Sequence, residues 1–124
     1  MGGIIMINYV VLLISILLAV SGQLLMKKGM MLFGTFPVSQ LLLKIIPMFL
    51  NPWVFSGLVC FGLSAVFWLV VLSRMELSLV YPMVSVAYVL VALASWLFFK
   101  ENLSLIRWLG ILVIILGVYL ISRS

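Results

Sequence analysis

The stretch that decides the fold is Ile4–Lys28, IIMINYVVLLISILLAVSGQLLMKK. From Ile4 to Met26 it carries no charged side chain, and it stops at Lys27-Lys28. About 20 apolar residues in helical form cross the roughly 30 Å hydrocarbon layer of a bilayer, so this run reads as a transmembrane helix. It is too long for a signal-peptide core, lacks a basic leader and is followed by two lysines instead of a small-residue cleavage site, so it is kept as a span. Three further runs share its character. They cover about Trp53–Leu72, Leu77–Phe99 and Ile106–Ser122, and are bounded by Arg74 and Glu76, by Lys100-Glu101-Asn102, and by Arg123.

Composition agrees with that reading. The 124 residues are 68% hydrophobic and 7% charged, with mean hydropathy +1.50, whereas soluble domains keep about a quarter of their residues charged. The expected fold is an all-α membrane domain over residues 1–124, with four transmembrane helices and no room for a second domain. Between the first two spans, residues 30–50 are apolar but broken by Gly34, Pro37, Lys44 and Pro47, which predicts a short interfacial helix over Ser39–Phe49. Lys27, Lys28, Lys44, Lys100 and Arg107 fall on one side of the membrane, Arg74 and Arg123 on the other. The excess places the first set in the cytoplasm and both termini outside.

The chain has no His, one Cys (Cys60, inside an apolar run) and two acids, Glu76 and Glu101, both at span boundaries. There is no general base, no metal-ligand cluster and no paired nucleophile, so neither enzymatic catalysis nor a metal or cofactor site is expected. The net charge of +5 sits at span ends, where it suits lipid headgroups and topology rather than nucleic acid.

Polar and small residues within the spans carry what chemistry there is. Ser15, Ala19, Gly22, Gln23 and Met26 share one side of the first helix, and Gly57, Phe61, Ser64 and Trp68 one side of the second. On the third, Tyr81, Ser85, Tyr88, Ala92 and Ser95 are aligned. Small residues and hydroxyls also serve helix packing, which is the better account of Ser15, Ser64 and Ser95 taken one at a time. Gln23 is different, because an amide in lipid needs several partners. Tyr81 and Tyr88 offer hydroxyls and flat faces suited to a sugar or headgroup, although Tyr81 also fits an interfacial anchor. Gln23, Tyr81, Ser85, Tyr88, Ser64 and Trp68 are therefore the candidate substrate-binding residues. Pro82 bends the third helix beside them and is the candidate hinge. The fourth helix places Gly110, Ile114, Gly117 and Ile121 on one face, suited to helix contact within the chain or with a second copy. Four helices enclose too narrow a centre for a solute, so a transporter of this size calls for a dimer.

Three strings carry a family resemblance: Ser21-Gly22-Gln23-Leu24-Leu25-Met26-Lys27-Lys28, Leu79-Val80-Tyr81-Pro82-Met83-Val84-Ser85, and Phe99-Lys100-Glu101-Asn102-Leu103-Ser104 leading to Gly110 and Gly117-Val118. Across Leu18–Ile121 the chain resembles the drug/metabolite transporter superfamily, whose four-span members include the small multidrug resistance proteins and the small subunits of the aminoarabinose-undecaprenyl phosphate flippase. It is most similar to the flippase subunits. The multidrug branch uses a glutamate in its first span, and Ala19 stands at that position here. Without that carboxylate, proton-coupled export of cations ranks below lipid transport, and a non-transporting accessory subunit is the other alternative. The resemblance implies an antiparallel pair of chains, like or unlike, in a bacterial or archaeal plasma (inner) membrane. It also implies a groove from the first three helices and a dimer contact through Gly110 and Gly117. The cargo it implies is a membrane lipid or lipid-linked sugar; Lys27 or Lys28, and secondarily Lys100, are the candidates to hold its phosphate, although basic residues at span ends more often serve topology.

Overall fold

The computed structural model describes residues 2–124. It is built from helices α1 (Gly2–Phe33), α2 (Leu41–Leu50, entered by a 3-10 turn at Val38–Gln40), α3 (Pro52–Arg74), α4 (Leu77–Met83), α5 (Ser85–Phe98) and α6 (Leu105–Ser122). Four helical stretches are long and apolar enough to cross a membrane: α1, α3, α4 and α5 taken together, and α6. The short helix predicted over Ser39–Phe49 is α2, which leaves Leu42, Leu43, Ile46 and Leu50 exposed on one apolar side.

The first helix outlasts its apolar run. Lys27 and Lys28 lie within α1, which continues to Phe33 and ends where Gly34 adopts φ 90° and returns its N–H to the Met30 carbonyl at 2.9 Å. Charge marks where lipid ends, not where backbone hydrogen bonding ends. At 1.5 Å per residue, α1 is about 48 Å long against a hydrocarbon layer of about 30 Å.

A single seam organises the bundle. α1 and α3 run antiparallel along most of their lengths, with Asn8, Ser15, Gly22 and Gly29 seven apart on one helix and Gly57, Ser64 and Val71 seven apart on the other. That spacing belongs to left-handed helix pairs. A Cβ on Gly22 would stand 2.6 Å from the Gly57 carbonyl oxygen, and one on Gly29 would stand 2.8 Å from the Val54 nitrogen. The two backbones touch because nothing larger than hydrogen separates them. Asn51 locks the far end: its Oδ1 accepts from the N–H groups of Trp53 (2.9 Å) and Val54 (3.4 Å), capping α3 ahead of Pro52, while its Nδ2 donates to the Gly29 carbonyl (3.1 Å).

The other half is looser. The third span is broken at Val84, two residues after Pro82. Proline has no N–H for the Ser78 carbonyl, and Val84 shares its own N–H between the carbonyls of Val80 (3.1 Å) and Tyr81 (3.2 Å). α6 packs on α4 and α5, with Trp108 meeting Trp96 edge-on at 5.7 Å, yet none of its residues is buried. Its outer side exposes Ile106, Leu109, Leu112, Val113, Leu116 and Leu120. In water this surface would be untenable. Lipid solvates it without cost.

Candidate functional site

The α1–α3 seam consumes part of the small and polar stripes. Ser15 Oγ donates to the Ser64 carbonyl (2.9 Å) and Ser64 Oγ to the Phe61 carbonyl (2.6 Å), while Gly22 and Gly57 meet face to face. These residues fasten helices. Ala19, Gln23, Phe61 and Trp68 are left on the side that looks toward α4 and α5.

There the structure forms a groove of two joined clefts. The larger, ≈ 590 Å³, is lined by Gln23, Tyr88, Ala92 and Ser95, with Glu101 and Arg107 at its charged end. The smaller, ≈ 270 Å³, is lined by Ser15, Ser64, Trp68 and Tyr81 and is almost wholly apolar. Ala19, Phe61, Val84 and Ala87 border both. Tyr81 and Tyr88 line the clefts and are 68% and 66% exposed, so neither is held in a packed core. The side-chain hydrogen bonds among the described residues involve neither tyrosine nor Gln23, which leaves one amide and two phenols available to a cargo.

Not every candidate gathers there. Ser85 is half-buried beside the Val84 break and lines neither cleft. Ser64 reaches the smaller cleft with its hydroxyl already committed to backbone. Of the three lysines, Lys27 approaches the charged end, with Nζ 4.0 Å from Glu101 Oε1. Lys28 instead lies over the Trp53 ring at 4.6 Å and borders a separate cleft with Phe98 and Phe99. Lys100 lines a shallow groove with Trp96 and Asn102. On α6, Ile114, Gly117 and Ile121 are half-buried, Gly110 is exposed, and a Cβ at either glycine would meet nothing within 4 Å.

Two groups at the groove were missed from sequence. From the sequence, Glu101 reads as a boundary acid, solvated or paired beside Lys100, and Arg107 bears only on topology. The connection between α5 and α6 brings them in. Lys100 takes a left-handed φ of 56°, which turns the Glu101 N–H back onto the Ser95 carbonyl at 3.2 Å. Ser104 Oγ accepts from the Arg107 N–H at 3.2 Å and starts α6 with Arg107 in the lining of the cleft. The available signal is that both lie in or next to the short connection Lys100–Ser104, which must turn back on itself between two spans.

Chemically, the groove is lined by aromatic rings from α3, α4 and α5 and carries two charged residues, Glu101 and Arg107. Among the described residues no cluster of metal-ligating side chains occurs.

Comparison with known proteins agrees. A protein of Aeromonas salmonicida described as a probable 4-amino-4-deoxy-L-arabinose-phosphoundecaprenol flippase subunit ArnE is 34% identical over 93% of this chain and 96% of its own length. One of the same description from Yersinia pseudotuberculosis is 36% identical over the same shares. A third, from Pseudomonas savastanoi, is 38% identical over 58% of this chain and 63% of its own. No solved structure matches. The EamA-like transporter family matches residues 2–123, nearly the whole chain. With its four apolar spans and open groove, this chain belongs to the EamA-like transporter family and is a multi-pass membrane transporter, not an enzyme.

Proposed function

We propose that the chain is one subunit of an inner-membrane flippase that carries a polyprenyl-phosphate-linked sugar, of the aminoarabinose type, across the bilayer beside a second four-span chain, like or unlike. The single observation that carries this reading is the pairing, in one groove, of unpartnered hydrogen-bonding groups with a charged end. Gln23 and Tyr88 face the ≈ 590 Å³ cleft, and Glu101 and Arg107 border it. The relatives named as flippase subunits support it.

The groove is open, not enclosed by the chain, so the hydrocarbon tail stays in lipid while the headgroup enters from the side. Gln23 and Tyr88 replace the water that sugar hydroxyls lose, and the Tyr81 and Trp68 rings take the apolar side of the sugar as it passes. Arg107, with Lys27, holds the phosphate at the charged end. Pro82 and the Val84 break let α4 swing against α5 as the headgroup moves. Ala19, where the two clefts meet, puts a methyl group at the place where a proton-coupled exporter of the multidrug type needs a carboxylate. That favours lipid movement over cation exchange.

The test is reconstitution with the partner subunit in vesicles containing a labelled polyprenyl-phosphate sugar, following access of the headgroup to an impermeant reagent. Gln23→Ala and Tyr88→Ala each slow the appearance of label about tenfold, the effect of losing roughly 1.4 kcal/mol of hydrogen bonding. Parent-like rates in both variants remove the site. A parent protein that moves no lipid removes the flippase reading itself.

A further inference from the structure

A phosphate-bearing lipid alone gives no reason for a carboxylate in its binding cleft. Glu101 lines the same cleft as Arg107, Gln23 and Tyr88, and would repel an anionic headgroup that carried no compensating charge. Its position is not a loose accident of an exposed loop. The left-handed turn at Lys100 and the Glu101 N–H to Ser95 carbonyl bond fix its backbone directly above Ser95, another lining residue.

The ammonium that now faces Glu101 belongs to Lys27. The contact is long, 4.0 Å, and the two side chains are 52% and 41% exposed. Exposed pairs at that distance hold weakly and exchange readily. Lys27 itself borders a separate cleft with Met30 and Phe36, so it reaches Glu101 from outside the Gln23–Tyr88 cleft and its hold on the carboxylate is displaceable. Arg107, starting α6 across the same cleft, supplies a guanidinium whose fork matches phosphate oxygens.

We propose that Glu101 and Arg107 form a two-pronged reader for a zwitterionic headgroup, one that carries a free primary amine as well as a phosphodiester. The substrate amine takes the place of Lys27 at Glu101. Lys27 is released to join Arg107 on the phosphate. Each substrate charge then has an opposite partner: the carboxylate faces the ammonium, and the two basic side chains face the single phosphodiester charge. Glu101 is thereby the residue that separates an amino sugar from a neutral one. This inference rests on the flippase reading above.

The experiment compares two probes in vesicles holding the chain with its partner subunit: a polyprenyl phosphate carrying an aminopentose, and the same lipid after N-acetylation. The parent moves the free amine about tenfold faster, the ratio expected from one charge-assisted hydrogen bond. Glu101→Gln brings the ratio to within about twofold of one, while Arg107→Gln slows both lipids and keeps the ratio. A parent that moves both probes at one rate overturns the amine reader and leaves the flippase standing. So does a Glu101→Gln variant that keeps the parent's ratio. If the parent moves neither probe, the flippase reading falls with it. The parent's ratio is independent of any variant's folding.

Discussion

Single residues here answer to two masters, helix packing and cargo, and substitution separates them. Lys100 is the clearest case. It occupies a left-handed φ of 56°, where a side chain costs about 1–2 kcal/mol and glycine costs nothing. Lys100→Gly is therefore expected to raise the melting temperature in detergent, whereas Lys100→Ala keeps the strain and leaves it unchanged. If phosphate binding needed the Lys100 ammonium, both variants would lose transport equally. We expect neither to do so, because the side chain lies outside the Gln23–Tyr88 cleft. Asn8 is a second case. Its Oδ1 is buried without a partner among the described residues, in line with Ser15, Gly22 and Gly29. An unpaired acceptor costs about 1–3 kcal/mol, so Asn8→Leu should stabilise the fold by that order in thermal or denaturant unfolding. From sequence, Asn8 was one polar residue in a long apolar run. Only the partner helix reveals that it lies on the seam.

At the scale of elements, glycines of identical type have opposite meanings. Gly22→Ala drives a Cβ to 2.6 Å from the Gly57 carbonyl oxygen and pries α1 from α3, with an expected loss of about 1–3 kcal/mol. Gly110→Ala meets open space and gains helix propensity, so its unfolding midpoint should stay level or rise. A Gly22→Ala protein as stable as the parent would show that the seam relaxes freely. The spans themselves were legible because the solvent is lipid: hydropathy and bounding charge located all four to within a few residues at most boundaries. The extension of α1 to Phe33 was not, because lysines end the apolar run without ending the helix. The groove was half legible. The stripes were found, but a seven-residue seam and a lining stripe draw on the same small residues, so Gly22, Gly57, Ser15 and Ser64 were grouped with Gln23 and Trp68. Distances alone sort them.

For the molecule as a whole, the remaining apolar surface invites a second chain. The outer side of α6 is exposed along its length, and Gly110 and Gly117 leave room for a close neighbour. Lipid satisfies that surface equally well, so the contact is a proposal with a direct check. Leucine at both positions, Gly110→Leu with Gly117→Leu, should convert a dimer to monomers by light scattering in detergent while helicity stays at the parent level. A dimer that survives would move the contact elsewhere.

The Asn51 clasp joins the α2–α3 corner to the Gly29 carbonyl of α1, at the end of a seam where two backbones touch. Helices α1 and α3, with Val80 of α4 packed into their core, therefore form one chassis, and the hinge proposed at Pro82 and Val84 would let α5 and α6 rock against it. A covalent tether within the chassis should leave the transport cycle running. One that ties α1 to α5 should stall it with the headgroup caught part-way.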